Sequence, residues 1–273
     1  MVDTLNRKLE QDRIIGASPG LSITKDLKPI NHALFVDDSL MLGGASNRVA
    51  SAFKDTLQAY CKVSRALISE RKSVVYSWNA AEHETQMIAH NLGFKGHSKW
   101  EKIQYLGLPL SLGINKVNLW EGVLTKIKGK IDAWGGHWLT HGGKLTLIKA
   151  VLSSLPIYQT SYLLAPKSIS GQINKLLRDF LWHGGKGNQC KFHLVSWDTV
   201  KRPLREGGLQ IRDPELVNTT LGCKIPWKMH NDPIHPVIKT SRYKYIPNAK
   251  IRNLQNITNR KSTMLWQLCI KGV

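Results

Sequence analysis

Two adjacent carboxylates, Asp37 and Asp38, are the residues whose type and spacing point most directly to chemistry. They lie between two short, mainly apolar runs, residues 33–36 and 39–42, which predicts a hairpin with both acids at its tip. Like charges this close repel each other unless a cation lies beside them. Mg²⁺ prefers oxygen ligands and is commonly held by one or two carboxylates. The hairpin is therefore a candidate Mg²⁺ (or Mn²⁺) site, and a surface turn with two solvated acids is the alternative interpretation.

The segments on either side of this pair predict the elements that must position it. Ser46 is a suitable N-cap for the amphipathic helix that follows it. Residues 72–77 are β-branched and aromatic, which favours a strand, and residues 82–92 are typical of a short helix. The apolar run 105–110 is interrupted by glycine and proline, so a turn or edge hairpin suits it better than a central strand. The polar, loosely patterned residues 1–30 predict turns and no regular element.

Beyond residue 112 the apolar residues recur at helical spacing. The first helix carries them every three or four positions, at Val117, Trp120, Leu124, Ile127, Ile131 and Trp134. Further helices are predicted over 145–155, 170–182 and 214–223, with a short strand over 192–195. The sequence therefore predicts an α+β fold in three parts. These are a domain of antiparallel strands and helices at 1–110, a mainly α-helical region at 111–230, and a basic, poorly ordered tail at 231–273.

The positive charge is concentrated in the second half of the chain. The 39 Lys and Arg residues outnumber the 19 Asp and Glu residues, which gives a formal charge of +20. Residues 1–123 carry a net charge of only +3, so 17 of these charges lie beyond them. This imbalance indicates a surface for a polyanion, of which phosphate backbones are the usual kind. A solvated basic face without a partner is the alternative interpretation.

Four cysteines lie far apart in the sequence, which favours free thiols in a reducing compartment. No stretch approaches the roughly 18 apolar residues that a membrane-spanning helix needs. The first twenty residues mix acids and bases without an apolar run, unlike a secretory signal. We therefore expect an intracellular protein that does not associate with a membrane.

A zinc site is suggested by His183, Cys190 and His193. A structural zinc site needs four ligands, and a fourth ligand at usable spacing is not evident. Ordinary polar loop residues explain these three side chains better.

The nine tryptophans allow two interpretations. Trp120, Trp134 and Trp182 lie on apolar helix faces, which predicts core positions. Trp100 and Trp138 lie near lysine and histidine residues, where stacking on bases is an option. Core packing is the preferred interpretation for both.

Several motifs in this sequence resemble those of reverse transcriptases. Residues 32–40, with Val36 in the variable position, resemble the Phe/Tyr-X-Asp-Asp box. Residues 66–75 resemble the Gly-Leu-X-X-Asn-X-X-Lys-Ser element of non-LTR (LINE-type) enzymes, and residues 105–110 are similar to their Tyr-Leu-Gly-X-Pro-Leu turn. Residues 134–150 resemble the thumb of plant retroelements. Over about residues 10–230, the chain thus resembles the C-terminal palm and thumb of a plant-type non-LTR retrotransposon reverse transcriptase.

The resemblance implies an RNA-directed DNA polymerase, in which a primer 3′-hydroxyl attacks a deoxynucleotide. It implies that Asp37 and Asp38 are catalytic magnesium ligands and that Lys72 is the general acid for the leaving pyrophosphate. The residues implied to approach the primer or the duplex backbone are Tyr105, Leu106, Gly107, Lys126, Lys130, Lys144 and Lys149. RNA and DNA are the implied partners, as a template–primer duplex, and the nucleus is the implied compartment, with the cytoplasm as the alternative.

The sequence also departs from the family pattern. Ala66 and Ser69 replace the usual Gly and Asn of the second motif. The family's first palm carboxylate and its fingers have no counterpart among the 36 residues before Asp37. The resulting expectation is a reverse-transcriptase remnant that is inactive alone. A non-catalytic, basic nucleic-acid-binding protein and a gene fragment without function are the alternative interpretations.

Overall fold

The computed structural model describes residues 2–23, 25, 27–98, 103–110, 117–134, 138–184, 193–245, 266, 267 and 270. The chain divides into two compact units, Met1–Gly113 and Ile114–Val273. The division falls a few residues beyond position 111, where the sequence pattern becomes helical.

The described residues of the first unit form three helices and six short strands. These are α1 (Val2–Ile14), β1 (His32–Phe35), β2 (Asp38–Met41), α2 (Asn47–Ser64), β3 (Val74–Tyr76), α3 (Glu82–Leu92), β4 (Lys95–His97), β5 (Ile103–Tyr105) and β6 (Leu108–Leu110). The described strands pair as three separate two-stranded sheets. β1–β2 and β5–β6 are antiparallel hairpins, whereas β3 and β4 are parallel and are connected through α3. The parallel pair differs from the expectation of antiparallel strands, since a helical crossover returns the chain in the same direction.

Helix α1 was not predicted from the sequence. Its apolar face consists mainly of Leu5 and Leu9, which lie one turn apart and pack with Val49 and Phe53 of α2. Two leucines among many charged residues form too short a pattern to stand out. The helix nevertheless covers one side of the small core of the first unit.

The predictions for α2 and α3 are confirmed. Ser46 has extended backbone and its hydroxyl accepts a hydrogen bond from the amide of Val49, as an N-cap does. Helix α3 ends at Gly93 in the left-handed conformation. The hairpin over 105–110 is also confirmed, as β5–β6.

The described part of the second unit is helical. Its α-helices are α4 (Glu121–Trp134), α5 (His141–Leu147), α6 (Ile157–Thr160), α7 (Lys167–His183), α8 (Trp197–Lys201), α9 (Pro214–Gly222), α10 (Lys224–Asn231) and α11 (Pro236–Tyr245). A π-helical segment, Ile148–Leu152, continues α5, and single 3₁₀ turns lie at Asn118–Trp120 and Leu204–Glu206.

One continuous core joins α4, the π-helical segment, α7 and α8. Its fully buried side chains include Trp120, Ile127, Ile148, Ile173 and Phe180. Trp134 and Trp182 pack against the same cluster, which confirms the prediction that these tryptophans, with Trp120, are core residues.

Two expectations for the second unit differ from the structure. Residues 193–195, the described part of the predicted strand 192–195, do not form a strand. Residues 236–245 form α11, within the segment expected to be poorly ordered. Ile238 of α11 is buried with Met229 and Trp266, and the rings of Tyr245 and Trp266 stack at 4.6 Å. Burial of these apolar side chains stabilises α11. The helix was not predicted from the sequence because its composition is basic.

Candidate functional site

The two aspartates lie at the tip of the β1–β2 hairpin. Phe35 pairs with Asp38, so Val36 and Asp37 form a two-residue loop. Both carboxylates are exposed, as are the side chains of Phe35 and Val36. The tip therefore presents two acidic groups to solvent, where a cation or a substrate could reach them.

The backbone at the tip is strained. Val36 has a φ of 50°, in the left-handed region. A β-branched residue is rarely found there, because its side chain crowds the following carbonyl. Val36 is also 74% exposed, so burial of its side chain does not offset this cost. Backbone strain of this kind is concentrated at functional sites, and it holds Asp37 and Asp38 at a sharp reversal of the chain.

The base of the hairpin is fixed by packing and hydrogen bonds. Leu34 and Met41 pack against the core formed by α1 and α2. The buried Asn31 donates from Nδ2 to the carbonyl oxygen of Leu9 at 2.8 Å, and the amide of Leu42 donates to the carbonyl of Asn31 at 2.8 Å. The hairpin thus has a rigid base and an exposed tip.

Asp12, a buried carboxylate of α1, has a structural role. It is only 4% exposed and accepts a hydrogen bond from the hydroxyl of Thr56 on α2. Its other oxygen lies 2.9 Å from the ammonium of Lys8. The contact with Thr56 joins α1 to α2, so the carboxylate helps to hold the two helices together.

The negative charge of the acidic hairpin influences the β5–β6 hairpin. Tyr105 pairs with Leu108, and the intervening Leu106 and Gly107 both have positive φ, of 50° and 75°. Two left-handed residues define the tight hairpin turn that glycine favours at its second position. Burial raises the pKa of Tyr105, and the negative charge of Asp38 raises it further. The charge of Asp38 thus reaches a residue of a second segment that the sequence motifs single out.

Within the described part of the chain, the contacts of Lys72 are separate from those of the two aspartates. Its side chain is exposed in the turn before β3, and its backbone amide donates to the carbonyl of Ser69 at 3.0 Å. Among the described residues, no hydrogen bond or ion pair joins Lys72 to Asp37 or Asp38. The general-acid role remains a prediction.

Of the four lysines implied as backbone contacts, two are fully at the surface. Lys126 and Lys130 are exposed on α4, whose buried side chains include Ile127. Lys149 is half-buried in the π-helical segment. Lys144 is only 7% exposed and so is less accessible to a phosphate than the other three lysines, and its contact with a duplex stays a prediction. A glycine pair lies just before Lys144 at the start of α5. Because glycines carry no side chain, the apolar pattern there did not predict where the Lys144 side chain points.

Trp138 corrects another expectation. The preferred interpretation placed it in the core, but its side chain is 95% exposed, between α4 and α5. Trp100, given the same interpretation, lies outside the described residues. This solvent-exposed aromatic ring is close to Lys130 in the sequence. Exposed aromatic rings combined with positive charge are typical of surfaces on which bases stack.

The described tip of the hairpin supplies two carboxylates that could hold a metal ion, and not three. Within the described residues, neither Asp37 nor Asp38 belongs to a group of three or more Asp, Glu, His or Cys side chains with converging ligand atoms. Two carboxylates can hold one Mg²⁺ that keeps several waters. Aligning two ions for in-line phosphoryl transfer needs further ligands.

Comparison with known proteins gives one informative similarity. Over 116 residues the chain is 39% identical to an Arabidopsis thaliana protein named "Putative ribonuclease H protein". The match covers 42% of this chain and 18% of that protein, so the chain corresponds to a small part of its relative. No family model matches the sequence. Within the described part of the chain, no helix has both the length and the apolar character needed to cross a lipid bilayer.

Proposed function

We propose that the chain is a palm and thumb remnant of a plant-type non-LTR retrotransposon reverse transcriptase. In this proposal it binds a template–primer duplex of RNA and DNA and holds Mg²⁺ weakly at Asp37 and Asp38, without extending a primer alone. The observation that carries the proposal is the strained, exposed Asp37–Asp38 tip with the Tyr105 hairpin beside it. The nucleus, where such an element meets its DNA target, is the compartment we propose.

The similarity to the Arabidopsis protein supports the broader part of this proposal. That relative is named as a ribonuclease H protein, so its name indicates an enzyme that acts on nucleic acid. The net charge of +17 beyond residue 123 fits a partner with a phosphate backbone. Nucleic-acid binding is thus supported by two independent observations.

In the nucleotidyl transfer that the resemblance implies, each part of the site would have a defined task. Mg²⁺, when bound, would lower the pKa of the attacking hydroxyl and neutralise charge on the leaving pyrophosphate. Asp37 and Asp38 would hold that ion at the hairpin tip. Tyr105, with its turn, would lie against the primer strand next to Asp38. The third carboxylate that would align a second ion is absent from the described neighbourhood of the hairpin, and for this reason we expect binding without polymerisation.

Primer extension tests this proposal. The chain is incubated with an RNA template, a labelled DNA primer, deoxynucleotides and Mg²⁺ or Mn²⁺, beside the Asp37→Asn/Asp38→Asn double variant. We expect no extension above that variant, together with tight binding of the same duplex by fluorescence anisotropy. Extension that the double substitution abolishes would overturn the claim of inactivity. Absence of duplex binding would overturn the whole proposal.

A second candidate function is a non-catalytic nucleic-acid-binding protein without a metal site. The exposed Lys126, Lys130 and Trp138 favour it, because they combine positive charge with a stacking surface. Binding of Mn²⁺, followed by electron paramagnetic resonance, separates the two candidates. The remnant hypothesis predicts Mn²⁺ binding that the Asp37→Asn/Asp38→Asn variant loses, whereas the second candidate predicts equal signals from both proteins.

A further inference from the structure

Three potential metal ligands converge near the end of α7, in the second unit. They are Asp179 and His183 on the helix and His193 from the segment that precedes α8. One ligand atom from each lies within 4.8 Å of the other two. The imidazole rings of His183 and His193 have their centroids 5.3 Å apart. This group lies far in the sequence from Asp37 and Asp38 and has a different ligand chemistry.

The helix explains why two of these side chains meet. Residues four apart lie on the same face of an α-helix, one turn above the other, so Asp179 and His183 project side by side. Both are half-buried, and His193 is exposed. They lie near the C-terminal end of α7, where the partial negative charge of the helix dipole favours a cation.

The carboxylate of Asp179 has capacity for a further ligand. Its closest basic neighbour is Arg178, whose Nε lies 3.7 Å from Oδ1, beyond the length of a hydrogen bond. An ion pair with half-exposed partners at that distance contributes little to stability.

We propose that Asp179, His183 and His193 bind one Zn²⁺, with water as the fourth ligand. Two imidazoles and a carboxylate suit zinc, whereas Mg²⁺ prefers oxygen ligands alone. Ligand bonds of about 2.0–2.2 Å require the three atoms to approach each other more closely than 4.8 Å, which side-chain rotation supplies. The site ties the chain at His193 to the end of α7 and so fixes the start of the segment that leads into α8.

Asp179 is the ligand that the sequence pattern did not reveal. Its place one turn before His183 becomes meaningful only once α7 is known to extend through both residues. Cys190, which the sequence also suggested as a ligand, lies outside the described residues and is not needed for the three-ligand site.

The site is tested by zinc titration of the full-length chain in competition with a chromophoric chelator. We expect one equivalent of Zn²⁺ to bind. Since loss of a group that only supports a ligand costs about 10- to 100-fold in affinity, removal of a ligand itself is expected to cost about 100-fold or more. The variants are Asp179→Asn, His183→Gln and His193→Gln. The matched control is His141→Gln, because the His141 ring also lies beside Trp182, at 6.1 Å, but outside the cluster.

Two further measurements separate this site from other zinc binding. Cys190→Ala is expected to retain affinity, and Co²⁺ is expected to give the visible bands of a nitrogen- and oxygen-ligated ion without a thiolate charge-transfer band. Circular dichroism of each variant excludes loss of fold as the cause of lost affinity. The proposal is overturned if no stoichiometric Zn²⁺ binds, if the three ligand variants bind like the control, or if Cys190→Ala alone abolishes binding. The Asp37→Asn/Asp38→Asn variant retains zinc binding, so this result stands apart from the primer-extension test.

Discussion

The two units of the molecule differ in the candidate functional residues that they carry and in the size of the core that supports those residues. In the first unit, the two candidate catalytic aspartates lie at the tip of a two-stranded hairpin, and the small core consists of Leu5, Leu9, Val49 and Phe53 with a few half-buried neighbours. In the second unit, a continuous core runs through α4, the π-helical segment and α7. The second unit also carries most of the positive charge.

This difference indicates which of the two proposed functions, catalysis or nucleic-acid binding, depends more on precise structure. A hairpin that presents two acids from a thin base depends on neighbouring strands for precise alignment. A helical surface that binds phosphates through charge needs no such precision, because a phosphate contact is largely insensitive to geometry and sequence. Under the proposed function, nucleic-acid binding by the second unit therefore depends less on precise structure than catalysis at the hairpin would.

The largest expected effect concerns the two cores. Phe180→Ala removes a fully buried ring from the second unit and is expected to lower the free energy of unfolding by about 3–5 kcal/mol. Phe53→Ala is expected to fall at the lower end, about 3 kcal/mol, because its smaller core can relax around the cavity. Native-state hydrogen exchange, followed on amides of α7 and α2, measures both. Equal protection and equal losses in the two units would remove the contrast drawn between them.

The second expected effect concerns the charge. Lys126→Gln/Lys130→Gln removes two exposed cations from α4 and is expected to reduce the slope of log K against log salt by about 1.8, at 0.9 for each duplex phosphate. Glutamine keeps helix propensity nearly unchanged. Lys62→Gln/Lys95→Gln, with two exposed lysines of the first unit, is the matched control. If the control changes the slope as much as the α4 pair, the binding surface is not confined to the second unit.

The sequence predicted elements best where the apolar pattern was long or the caps were explicit. The caps of α2 and α3 and the apolar face of α4 are examples. It failed for α1, whose apolar face comprises two leucines, and for α11, whose burial depends on the distant Trp266. Within the site, adjacent acids indicated the Asp37–Asp38 tip. The influence of Asp38 on Tyr105 and the meeting of Asp179 with His193 depend on tertiary contacts that no spacing rule contains.

The third expected effect concerns the junction of α1 and α2. Asp12→Ala leaves the hydroxyl of Thr56 buried without its acceptor and removes the partner of Lys8. An unsatisfied buried polar group costs about 1–3 kcal/mol, and we expect a loss of this size, confined to the first unit. Asp3→Ala, at an exposed position of the same helix, is the control and is expected to change stability much less. Retained primer binding in Asp12→Ala would agree with a purely structural role for this carboxylate.

The smallest expected effect concerns the strain at the hairpin tip. Val36→Gly relieves a left-handed conformation that costs an L-residue about 1–2 kcal/mol, and it adds the backbone entropy cost of glycine, about 0.5–1 kcal/mol. The net result is a stabilisation of at most about 1.5 kcal/mol, since the exposed side chain contributes little burial. Val74→Gly, in β3 with φ outside the left-handed region, is the control and is expected to destabilise by a similar amount. Opposite signs, measured by hydrogen exchange in β1–β2 and in β3, identify strain at the tip as real. If both variants destabilise equally, the tip is held by contacts of Val36 and the first unit carries no stored strain at its acidic pair.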